Sequence, residues 1–79
     1  MPLSLRVACA ITLDIRSGRL KPGERLVVSR LADRYHVDKV TVGKALVTLL
    51  INGTTRSIDL PSKQRRWFVA ERAPAPNRP

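Results

Sequence analysis

The chain holds one cysteine, one histidine and one each of Trp, Tyr and Phe in 79 residues. A single thiol excludes an internal disulfide, and no Cys/His cluster stands at metal-ligand spacing. With one histidine and six scattered acids there is no Ser/His/Asp set, and no glycine-rich loop is placed to cradle a phosphate. The sequence therefore points away from an enzyme: no catalytic residue, metal or cofactor is expected. Residues 7–13 form an apolar run, but it is far short of the roughly 20 residues a membrane helix needs. Within it, Cys9 is expected to be a buried small hydrophobe. Ala8-Cys9-Ala10 has the small-x-small look of a cleavage site, yet almost no hydrophobic stretch precedes it. The expectation is a cytoplasmic protein with no membrane partner.

What the chain has in excess is positive charge. Fifteen Lys and Arg against six Asp and Glu leave +9 at pH 7, while 43% of the residues are hydrophobic. That apolar content is too high for a disordered basic tail. A chain of this size buries only about 60% of its unfolded surface, so one small core and no deep pocket are expected. A folded domain with a basic surface expects a polyanion as partner. Residues 1–38 carry seven bases and four acids, whereas 39–79 carry eight bases against Asp59 and Glu71. The anion should meet the second half.

Periodicity sets out the elements. Leu5 to Ile15 reads as a helix, with Val7, Ile11 and Ile15 at four-residue spacing beside Ala8, and with Arg6, Asp14 and Arg16 elsewhere on the wheel. Gly18 suits its end. Pro22-Gly23 marks a turn flanked by Leu20 and Leu26. Residues 28–35 form a short helix facing Leu31 and Ala32 inward. After Tyr35-His36-Val37-Asp38 a third helix runs over 39–51, with Asp38 as N-cap and Val42, Ala45, Leu46, Leu49 and Leu50 as its buried stripe. Asn52-Gly53 closes it. The period then becomes extended: 54–60 and 65–70 read as two strands of a hairpin with a basic tip. Trp67 is expected to cover the core, and Tyr35 to lie in the core or at its rim. The domain therefore spans 1–70, and the proline-rich 71–79 reads as a flexible tail.

The order of these elements is that of a winged helix-turn-helix: mainly α, three helices plus a two-stranded wing. In such a motif the second helix of the pair enters the major groove with its N-terminal residues at base edges. That end offers Lys39, Val40, Thr41, Gly43 and Lys44. Lys39 can reach a guanine edge or a phosphate, Thr41 a phosphate or a thymine methyl, and Gly43 allows a close backbone approach. The hairpin offers Lys63, Gln64, Arg65 and Arg66 to phosphates or the minor groove. Arg30 and Arg34 on the second helix can clamp phosphates, or can simply be solvated.

Two stretches, Ile15-Arg16-Ser17-Gly18-Arg19-Leu20-Lys21-Pro22-Gly23-Glu24-Arg25-Leu26 and Leu31-Ala32 through Val37, Thr41-Val42 and Ala45-Leu46, together resemble the DNA-binding domain of the gluconate-repressor (GntR) family. The resemblance covers about residues 7–70, with Phe68-Val69-Ala70 similar to the end of the family's wing. It implies a winged helix-turn-helix that binds double-stranded DNA and regulates transcription. Departures are specific. The family's turn glycine is His36, a residue type tolerated at positive φ. Its arginine at the start of the recognition helix is Lys39, a poorer fork for guanine. A second arginine is replaced by Gly43, so the family's base preference does not carry over. The wing-tip glycine is absent, and the wing is longer. The effector-binding domain that usually follows is also missing, which leaves an excised fragment or, as favoured here, a stand-alone protein without a small-molecule site.

The expected function is therefore sequence-specific double-stranded DNA binding by a small transcriptional repressor or regulator of plasmid, phage or bacterial origin, acting as a homodimer or a cooperative pair on DNA. The alternatives are a DNA-bending architectural or excision factor and a winged-helix protein-docking module.

Overall fold

Three helices and three short strands make up the fold in a computed structural model that describes residues 2–62 and 64–70. They run α1 (Leu3–Arg16), β1 (Arg25–Leu26), α2 (Val28–Tyr35), α3 (Lys39–Ile51), β2 (Thr55–Asp59) and β3 (Arg65–Val69). The expected tail, 71–79, and Lys63 at the hairpin's turn lie outside the described residues. The fold is a winged helix, mainly helical, with β2 and β3 as the wing.

One element departs from expectation. The sheet has three strands in the order β1-β3-β2, where a two-stranded wing was expected. Pro22 and Gly23 make the anticipated turn, but the chain leaving it pairs with the wing: Arg25 stands opposite Phe68 and Leu26 opposite Trp67. Gly23 N–H donates to the Val69 carbonyl at 2.9 Å, and Val69 N–H to the Glu24 carbonyl at 2.9 Å. A two-residue strand carries no alternation to read, so the sequence showed only the turn.

Each helix ends on a left-handed residue, namely Gly18, His36 and Gly53. At the end of α3 the Gly53 and Thr54 amides donate back to the Leu50 and Leu49 carbonyls at 3.0 and 2.8 Å. This reciprocal closure satisfies carbonyls that a helix end otherwise leaves unpaired. Gly18 and Arg19 close α1 the same way on Ile15 and Asp14. His36 adopts φ 57° and ψ 47°, and the Val37 amide returns to the Ala32 carbonyl at 3.0 Å. The tight turn between α2 and α3 is thus made by a histidine in the position expected of it.

The core lies between α1, α3 and one face of the sheet. Val7, Ala8 and Ile11 of α1 meet Val42, Ala45, Leu46 and Leu49 of α3, and Leu20, Leu26, Leu31, Trp67 and Val69 close the sides. Thr55 is also fully buried, and its hydroxyl donates to the Leu46 carbonyl at 3.2 Å. That bond answers the polar-group cost of burying it and ties β2 to α3.

Two residues of α1 lie where the sequence did not place them. Cys9, expected in the core, is exposed, because the buried stripe of α1 runs through Val7, Ala8 and Ile11 and leaves position 9 facing out. Asp14, expected on the polar side, is only 8% exposed. Its carboxylate accepts the Tyr35 hydroxyl at 2.6 Å and sits 3.4 Å from the Arg34 guanidinium and 3.6 Å from that of Arg19. Burial, then the hydrogen bond to Asp14 and its charge, push the Tyr35 phenol well above its ordinary range. The cluster fastens the end of α2 to α1. Tyr35→Phe removes a hydrogen bond to a charged acceptor and should lower the unfolding free energy by about 1.5–3 kcal/mol, read from urea denaturation with an unchanged slope.

Candidate nucleic-acid interface

One side of the N-terminal end of α3 stands clear of the core. Lys39, Val40 and Lys44 are exposed, with Thr41 and Gly43 half-buried, while Val42 between them points fully inward. The 3.6-residue period explains this split, since one stripe of α3 is taken by the core and the next is left to solvent. Val40, at 66% exposure, is an apolar group presented to water on an otherwise cationic end.

Asp38 fixes where α3 begins. Its backbone is extended, and its Oδ1 accepts the Thr41 amide at 2.9 Å. The hydrogen bond from Thr41 holds the Asp38 carboxyl below the ordinary carboxylate value, with the nearby Lys44 charge adding in the same direction. The carboxylate therefore stays ionised at the positive end of the helix, and the helix start is set where Lys39, Val40 and Thr41 project together.

Gly43 gains its meaning from the space around it. A β-carbon built at this position meets nothing within 4 Å, so the protein's own packing does not demand glycine. A helix-interior glycine is less stable than alanine by roughly 0.5–1 kcal/mol. The surface there is open and bare, which suits close approach of another molecule to the helix backbone.

The wing divides its cations. Strand alternation puts Arg65 on the face that carries Trp67, and Arg66 on the opposite face beside Ile58. Arg65 Nε donates to Asp59 Oδ1 at 3.1 Å, and its guanidinium lies 5.6 Å from the centre of the Trp67 ring. Both partners of the ion pair are solvated, so it is worth under about 1 kcal/mol and can exchange for an outside anion. Gln64 is exposed, and its carbonyl accepts the Leu60 amide at 2.7 Å, closing the hairpin. On α2, Arg34 is drawn to Asp14 and lies over the Tyr35 ring at 5.9 Å, which gives it a structural anchor. Arg30, one turn earlier on the same face, is exposed and makes no ion pair among the described residues.

The outer face of the sheet joins Arg66 to two cations, Arg25 and Arg56, that the sequence reading left out. Arg25 and Arg56 both stand opposite Phe68 in register, and Arg66 stands opposite Ile58 on the same face. Period-two alternation already groups Arg56 with Arg66 once the hairpin register is known. Arg25 joins only through β1, the strand the sequence did not reveal. Among the described residues no group of His, Cys, Asp or Glu is placed to hold a metal ion, and no helix is long and apolar enough to cross a membrane.

Comparison with curated proteins and with solved structures found no significant match. The family model described as bacterial regulatory proteins, gntR family, matches residues 3–58. That span begins at the start of α1, takes in the whole helix-turn-helix, and ends within β2. It leaves out the hairpin tip and β3. With that match over most of its length, the chain belongs to the gntR family of bacterial regulatory proteins, whose helix-turn-helix domain binds double-stranded DNA in transcription regulation.

Proposed function

We propose that the protein is a site-specific repressor of bacterial, plasmid or phage origin that acts by occupying its DNA site. The first turn of α3 lies in the major groove, where Lys39, Val40 and Thr41 meet base edges, Gly43 admits the backbone closely and Lys44 reaches phosphate. The wing contacts the backbone or the minor groove through Lys63, Gln64, Arg65 and Arg66. Arg30 contacts phosphate as α2 crosses the backbone, while Arg34 contributes chiefly by stiffening α2 against Asp14. One short helix reads only a few base pairs, so two copies occupy a repeat or palindrome. This is binding without a chemical step, carried out by residues 1–70 as the DNA-binding unit. The observation that carries the reading is the N-terminal end of α3, where Lys39, Val40 and Lys44 are exposed and the surface at Gly43 is bare, while Val42, Ala45, Leu46 and Leu49 hold the helix in the core.

Titrating labelled duplexes at several salt concentrations tests it. With four to six phosphate contacts per copy, log affinity should fall against log salt with a slope of roughly −4 to −5, and a flat response removes the electrostatic basis. Lys39→Ala and Thr41→Ala should narrow the affinity gap between cognate and unrelated duplexes. Arg65→Ala with Arg66→Ala should weaken all duplexes alike. The reverse pattern would move specificity to the wing.

Gly43 separates stability from binding. Gly43→Ala should raise the unfolding free energy by about 0.5–1 kcal/mol, because the new methyl group meets no protein atom and helix propensity improves. The same variant should bind cognate DNA more weakly. Unchanged affinity in the stabilised variant would place Gly43 away from the groove.

A further inference from the structure

α1 has two apolar sides. One is the core stripe; the other is Leu5, Cys9 and Leu13, spaced four residues apart and all exposed, with Leu13 at 63% and Leu5 at 37%. Beside them runs a shallow groove of about 380 Å³ walled on its far side by Thr48 and Leu49 of α3 and by Asn52 just after it. In a chain carrying +9, this stripe stands out as uncharged.

We propose that this face docks a second copy of the chain, α1 against α1 and antiparallel, with the two-fold axis passing between the two Cys9 side chains. The inference deepens the pairing on DNA proposed above and rests on it. Three observations choose this occupant. First, the stripe is self-complementary. Leucine lies four residues to either side of Cys9, so a two-fold axis at Cys9 sets Leu5 against the partner's Leu13 and the reverse, as an isologous interface requires. Second, the charges tolerate that register. Arg6 falls opposite the partner's Thr12 and Arg16 opposite the partner's Pro2, so no cation of α1 meets a cation. Third, the groove meets α3 at its far end. Thr48 lies roughly 10 Å along the helix axis from Thr41, which keeps a seated partner off the DNA-facing turn.

The size of the face sets how it behaves. Three exposed apolar side chains per copy bury well under the roughly 1,200 Å² at which stable interfaces begin, and two chains of +9 repel each other. DNA removes that repulsion and supplies the proximity, so the pair forms on the duplex rather than in free solution. The chain's own end is a poorer occupant. Residues 71–79 contain no large apolar side chain and carry two arginines against one glutamate, which does not suit an apolar groove rimmed by Arg16.

Cys9 is the only cysteine, so it reports on the axis directly. The full chain is treated with a short bis-maleimide, alone, on a duplex with one half-site and on a duplex with two. A covalent dimer is expected on the paired site and little of it otherwise. The second copy should bind the paired site roughly 5- to 150-fold more tightly than the first. Leu13→Glu, at an exposed position that folding does not depend on, should bring that factor to about one and abolish the cross-link, while leaving affinity for the single half-site unchanged. Leu5→Lys combined with Leu13→Glu should restore both, because the antiparallel register sets the new charges against each other. Two copies bound cooperatively without a Cys9 cross-link, or a Leu13→Glu variant that keeps its cooperativity, would overturn the interface while leaving the DNA-binding reading intact. Failure of the native chain to bind a single half-site would instead strike at that reading. A Cys9 that cross-links only once residues 71–79 are removed would assign the groove to the chain's own end.

Discussion

The placement of α3 is the constraint on which the molecule depends. Its inner stripe is the centre of a core barely large enough for a fold of this size, and its first turn must still protrude. Burial of Val42, Ala45, Leu46 and Leu49 against α1 and the sheet fixes the rotation of the helix about its own axis. The left-handed His36 and the Asp38 cap fix where it starts, and the Gly53 closure fixes where it stops. A rotation of one residue would carry Val42 into solvent and Lys44 toward the core. Apolar burial on one side therefore determines which side chains can face a ligand on the other.

Much of this could be read from the residues themselves. The second and third helices have the bounds expected of them, because each is bracketed by unambiguous chemistry: a carboxylate cap before α3, and residues that accept positive φ after each. Trp67 in the core and Thr55 in a strand followed from alternation. Two of the misses share one cause, which is that periodicity describes a single element while the error lay between elements. β1 is too short to alternate and exists only through its pairing with β3. Asp14 looks like a solvent residue on the wheel of α1. It is buried because Tyr35, twenty-one residues later, supplies a hydroxyl and two arginines supply charge. Cys9 was judged by its residue type, and the helix turned that position outward.

The candidate surface was legible in the same uneven way. Lys39, Val40 and Lys44 fall on the side of α3 away from its buried stripe, so their exposure follows from their spacing. The wing residues were grouped by adjacency, yet adjacent positions in a strand face opposite sides. Arg65 and Arg66 accordingly belong to different surfaces, one shared with Trp67 and the other with Arg25, Arg56 and Phe68. A ribbon cationic on both faces can accommodate an anionic neighbour on either side. The arginines of the two wing strands are thus divided between its faces instead of being gathered on one.

The stacking of Arg65 over Trp67 has a practical corollary. This indole is the only one in the chain, it is buried at the root of the ribbon, and the cation above it is held by a solvated carboxylate that a stronger anion can displace. Withdrawal of the guanidinium alters the electric field at the ring without any rearrangement of the core. The intrinsic tryptophan fluorescence of the protein is therefore wired to the wing through Arg65, giving an optical signal for anions that reach this part of the surface.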